Sequence, residues 1–168
     1  MVDYLPLVLT GLGLTASIAY YASVIRNTNK ARLREVIFQR AQVYSGYYTE
    51  AYATIRNMND WNTVEEFHAK YGISVNPDKW SKYMYITRVF NIAGILLQEN
   101  MADADLIFKL YPPNSVINVW EQFEPITQSH RDRVNYPEAY ESFEFLYKQA
   151  KEKYPEITSQ RKPWSTSQ

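Results

Sequence analysis

Two regimes of hydrophobic patterning divide the chain. From Tyr4 to Ile25, twenty-two residues carry no formal charge. At about 1.5 Å per residue they make a helix of roughly 33 Å, enough for the about 30 Å hydrocarbon core of a bilayer. Pro6 falls in the first turn, where its missing N–H costs little. Tyr4 at one end and Tyr20 and Tyr21 near the other lie where amphipathic rings favour the interface. Residues 1–26 are therefore predicted as a single transmembrane anchor. Arg26, Lys30, Arg32 and Arg34 follow the span before the next acid, Glu35, while only Asp3 and the amino terminus precede it. That asymmetry places the N-terminus outside and the larger C-terminal domain in the cytoplasm. A cleaved signal peptide would need a basic n-region, and Asp3 stands there instead. A buried core helix is a poor fit to this length with adjacent basic flanks. Gly13 and Ser17 have the small-xxx-small spacing on which a second span can pack.

Beyond residue 26 the pattern becomes amphipathic. The helix is expected to run on past the membrane, with a local break at Asn27–Asn29. Leu33, Ile37, Ala41, Tyr44, Tyr48, Ala51, Ile55 and Met58 recur at gaps of three and four, one stripe of a helix. Thr63-Val-Glu-Glu66 has capping-box spacing and opens a short helix that stops at Gly72. Asn76-Pro77 reads as an N-cap and first turn. The helix after it carries Trp80, Tyr83, Met84, Thr87, Phe90, Gly94, Leu97 and Met101, thickened by Ile92, Ile95 and Leu96. It is nearly apolar all round in its second half, which marks it for the domain centre. Asp103 caps a short helix through Leu110. A helix from about Asn114 to Arg131 shows Val116, Trp120, Phe123 and Ile126 on one face, with a kink expected at Pro125. The last helix, Pro137 to about Lys153, uses Tyr140, Phe143, Tyr147 and Ala150. No stretch alternates as a strand does. The predicted class is all-α: the anchor continues into a small cytoplasmic bundle of about five helices over residues 27–154, and residues 155–168 form a polar, disordered tail.

Composition narrows the functions. Lys+Arg and Asp+Glu both number 18, so the net charge is zero and the basic excess that nucleic acid calls for is missing. No cysteine is present, which removes disulfides, thiolate metal sites and cysteine nucleophiles. The 15 Tyr, 7 Phe and 4 Trp are the unusual feature. Tyr44, Tyr47, Tyr48 and Tyr52 lie along roughly one helical side, either as a half-buried core edge or as an interface, where large rings with wet hydroxyls are favoured. Lys148, Lys151, Lys153, Arg161 and Lys162 make the C-terminus mildly basic, either as a solvated face or as an attraction to an anionic leaflet.

Catalytic patterns are sparse. Glu65 and His68 share a helix face as Glu-x-x-His, the half-site of carboxylate-bridged di-metal bundles, but such sites need two pairs and two further glutamates. The second histidine, His130, has Thr127 where the acid would stand. Ser129, His130, Arg131 and Asp132 are sequence neighbours, which point in different directions on a helix and so form no triad. Neither Gly-x-Ser-x-Gly nor a phosphate-cradling loop occurs, and no cofactor is implied.

The opening Asp3–Tyr21 with Arg26–Arg32, then Phe67-His-Ala-Lys-Tyr-Gly72, Phe90-Asn-Ile-Ala-Gly94 and Trp120-Glu-Gln-Phe-Glu-Pro-Ile126 with Arg131, and finally Tyr136–Tyr147, together resemble a family of uncharacterised archaeal proteins. The resemblance covers the chain to about Tyr154 and implies one N-terminal membrane helix with a helical cytoplasmic domain. It implies no catalytic residues. Relatives often carry an acid after the phenylalanine and a basic turn after the apolar run, where this chain has Asn91 and Gln98-Glu99. The leading expectation is a membrane-tethered interaction module or accessory subunit, whose partners are the lipid bilayer and another membrane protein or a second copy. The alternative is a membrane-anchored helical enzyme or metal-binding protein using Glu65 and His68.

Overall fold

The computed structural model describes residues 16–25, 27–28, 31–32, 35 and 45–157. The chain divides into two compact units, Met1–Arg40 and Ala41–Gln168. In the first, all the described residues are helical and exposed. They include Asn27 and Thr28, where a break was expected. Residues 4–15 of the expected span lie outside the described residues. Among the described residues no helix is long and apolar enough to cross a membrane.

The second unit is all-helical over its described residues. Its helices are α1 (Ser45–Arg56), α2 (Val64–Tyr71), α3 (Pro77–Gln98), α4 (Ala104–Leu110), α5 (Pro113–Val134) and α6 (Glu141–Lys153). Among the described residues these are six helices against the expected bundle of about five, and the two short ones, α2 and α4, lie where Thr63 and Asp103 are expected to open them. Three starts follow from local capping. The Thr63 side chain accepts from the Glu66 N–H, Asn76 from the Lys79 N–H, and Asp103 from the Leu106 N–H. The capping box closes one residue early, since the Glu66 carboxylate accepts from the N–H of Asn62 at 2.8 Å rather than that of Thr63. Gly72 ends α2 in an extended, not left-handed, conformation. Glycine is needed there because a Cβ would press against the backbone of His68, lying 3.3 Å from its carbonyl carbon.

α3 is central, packing against α6 and α1 and touching α2 and α4, while α5 lies against α6. Tyr83, Ile86, Phe90 and Ala93 form its buried stripe. The extra apolar residues do not all enter the core: Ile92 and Ile95 are 56% and 42% exposed. Val116, Trp120, Phe123 and Ile126 of α5 are buried as their spacing predicts. α5 is assigned as helix without interruption through Pro125. α6 begins at Glu141, four residues later than expected. Asn135 and Tyr140 both take left-handed backbone conformations, φ 49° and 59°, so the chain turns through Pro137 before helix resumes. Packing reaches past Pro155, because Ile157 lies against the core and Tyr154 packs edge-on to Phe108 at 5.6 Å. Residues 158–168 of the expected tail lie outside the described residues.

Two polar contacts tie distant elements together. The Gln122 side-chain amide on α5 donates to the carbonyls of Ile55 (3.1 Å) and Met58 (2.9 Å), which also accept from the Met58 N–H and the Trp61 indole N–H, so it ties α5 to the end of α1 and the turn after it. Arg131, near the end of α5, donates through Nε to the Ala139 carbonyl at 2.8 Å and through Nη2 to Glu144 at 2.9 Å. It thereby fixes the turn into α6.

Candidate functional site

The tyrosine face is largely intramolecular. Tyr48 stacks on Tyr52 at 6.0 Å and meets Tyr111 at 5.7 Å and Phe90 at 6.4 Å. Its hydroxyl is buried and has no hydrogen-bond partner among the described residues, and burial pushes its pKa far above the ordinary tyrosine value. Tyr47, at 42% exposure, is the open member, packing its edge on Tyr85 at 4.7 Å. Tyr44 lies outside the described residues. The stripe thus works mainly as the seam between α1 and α3.

The basic face on α6 is spoken for as well. Lys148 pairs with Glu144 at 2.7 Å, Lys151 with Glu121 at 3.6 Å, and Lys153 with Asp105. Arg161 and Lys162 lie outside the described residues.

The chain's two histidines, separated by 61 residues of sequence, line one cavity of about 60 Å³ with Trp80, Tyr83, Arg133 and Tyr140. Three elements converge to build it. His68, in the middle of α2, packs against Trp80 of α3 at 5.8 Å. His130 and Arg133 are i,i+3 neighbours on α5, and the Tyr140 ring lies 6.0 Å from His130. Tyr140 reaches this place through its left-handed backbone, and its hydroxyl points at the Met84 sulfur at 3.9 Å. Arg133 Nη2 lies 3.4 Å from His130 Nδ1. A guanidinium can only donate, so that ring nitrogen is the acceptor and the neutral imidazole carries its proton on Nε2. Both histidines are held below the ordinary value, first by burial and then by the positive charge of Arg133, with Glu65 opposing at His68.

The sequence singled out His68 with Glu65, but the structure pairs it with His130 and Arg133. Glu65 is exposed. Among the described residues no group of three or more His, Cys, Asp or Glu could hold a metal ion. Thr127 is buried and hydrogen-bonded with Tyr83, a core role. Arg131 and Asp132 turn away from the histidines, toward Glu144 and Gln128. The sequence reading missed Arg133, Trp80 and Tyr140 as companions of His68. A faint signal existed, since a chain with just two histidines has His130 and Arg133 on one helical face. Of the remaining candidates, Ser17 and Arg32 are helical and exposed, while Gly13, Arg26, Lys30 and Arg34 lie outside the described residues.

A family described as a domain of unknown function (DUF4760) matches residues 7–150. No curated protein matches the chain, and no solved structure does.

Proposed function

We propose, from the premise that the chain belongs to the DUF4760 family of unknown function, that it is a membrane-tethered helical interaction module, an accessory subunit of a membrane complex. The observation that carries this reading is the helical stretch 16–25. Ile18, Tyr20, Tyr21 and Ile25 are each more than 60% exposed there, and Val24 is 40% exposed. A helix apolar on several sides needs a covering, and a bilayer supplies one along its whole length. The uncharged run from Tyr4 and the basic residues Arg26, Lys30, Arg32 and Arg34 support an anchor with its following domain in the cytoplasm. Gly13 and Ser17 offer packing positions for a second span, of this chain or another. The family match takes in most of the apolar segment together with the helical domain. The membrane anchor and the archaeal source implied by the resemblance are parts of this proposal.

The test is fractionation of cells expressing the full chain. It should sediment with membranes and resist alkaline extraction, and Leu12→Arg with Leu14→Arg should release it. Recovery of the unaltered chain in the soluble fraction sinks the tether. If the gently solubilised chain instead stays monomeric and brings down no partner, the module reading fails while the tether stands.

A further inference from the structure

We propose that the cavity between α2, α3 and α5 is a binding site for a small oxyanion group, carboxylate or phosphate, held by Arg133 with His68 and His130. This goes beyond the tethered-module reading and does not depend on it. The cavity has room for a few water-sized molecules, which suits the charged head of a ligand whose remainder stays in solvent. Arg133 is exposed, and among the described residues it has no carboxylate partner; its one polar contact is the long approach to His130 Nδ1. A forked guanidinium left without its usual acid is matched in geometry to an oxyanion. The walls formed by Trp80, Tyr83 and Tyr140 lower the local dielectric, which strengthens a charge pair there.

A cation fits the same place badly. Arg133 repels it, and two imidazoles without a third ligand do not make a metal site. The charged and titratable groups around the histidines are Glu65 on α2, Arg133 on α5, Tyr83 on α3 and Tyr140 before α6. Arg133 acts on both rings, and Glu65 on His68. An arriving oxyanion would take the guanidinium away from His130 Nδ1, freeing that nitrogen to accept a proton from solvent. The imidazolium then becomes a second donor to the anion. Binding is therefore coupled to proton uptake, and affinity falls as pH rises through the histidine range, by up to about tenfold per pH unit for each proton taken up.

With two histidines in the chain, every imidazole signal in an NMR titration of the untagged, full-length protein belongs to this cavity. At constant ionic strength, replacing chloride by inorganic phosphate or acetate should raise both midpoints, by about one unit for an anion within contact distance. A response to either anion supports the site, and the stronger of the two identifies its chemistry. Arg133→Gln should raise both midpoints in chloride and abolish the further rise with anion. The proposal is overturned if neither anion moves either midpoint, or if the Arg133→Gln protein responds as strongly as the wild type. Should that variant fail to fold, the presence or absence of the wild-type response decides.

Discussion

The sharpest test of the packing is Gly94→Ala, because intrinsic propensity and tertiary contact predict opposite signs. Within a helix, alanine is favoured over glycine by about 1 kcal/mol, so an exposed site would gain stability. Gly94 instead faces α6 where the two helices come closest. A Cβ there would lie 2.5 Å from the carbonyl carbon of Ser142 and nearer still to its oxygen, against an ordinary contact of about 3.5–4 Å. The obstacle is backbone and cannot rotate away, so α3 and α6 must separate by about 1 Å or more. Separation loosens the Phe90–Phe143 contact at 5.2 Å. It also stretches the bond at 3.2 Å from the Phe143 N–H, which is shared with the Tyr140 carbonyl at the start of α6, to Asn91 Oδ1. Overpacking typically costs about 1–3 kcal/mol, and a backbone obstacle belongs at or above that upper end. After subtracting the propensity gain, a net loss of about 2 kcal/mol follows. For a chain of this size that lowers Tm by about 4–8 °C, measurable by circular dichroism on the purified protein. Gly46→Ala is the control: among the described residues nothing lies within 4 Å of its Cβ position, so it should leave Tm unchanged or raise it. A Gly94→Ala protein as stable as the wild type would refute the close approach of α3 and α6.

Two further outcomes follow from half-buried polar groups. The Glu144 carboxyl is held below its usual range by Lys148 and then Arg131, against the opposing effect of burial. It therefore stabilises the fold fully above its unfolded value near 4.5, and the contribution is lost as pH falls through the lower folded value. Urea unfolding across that window should show a steeper decline for the wild type than for Glu144→Gln, and parallel declines would refute the assignment. Tyr48→Phe removes a buried hydroxyl that has no partner among the described residues, so thermal unfolding should show stability unchanged or raised by up to about 1 kcal/mol. A loss exceeding that would mean the hydroxyl is satisfied in solution.

Much of the helical domain was legible in the sequence, because helices announce themselves locally. Caps at Thr63, Asn76 and Asp103 act within three residues, and the faces carrying Ala51, Ile55, Phe90, Trp120 and Phe143 repeat with the helical period. The start of α6 is not legible in the sequence, because Pro137 is as compatible with a turn as with a first helical position. What decided between them was Arg131, reaching from the preceding helix to Ala139 and Glu144. The tyrosine run is compatible with either a seam or an interface, since periodicity says which side a ring is on and nothing about what faces it.

The sequence by itself determined that the chain is helical, where its helices cap, and that an uncharged apolar run precedes them. Those properties rest on neighbours within about one helical turn. Tertiary structure alone decided that Gly94 is a contact point rather than a flexible position, that Tyr48 is enclosed, and that His68, with Glu65 still acting on it, lines a cavity shared with His130 and Arg133. Each of those depends on which helices meet and at what height, a non-local outcome of packing that no spacing within one helix encodes.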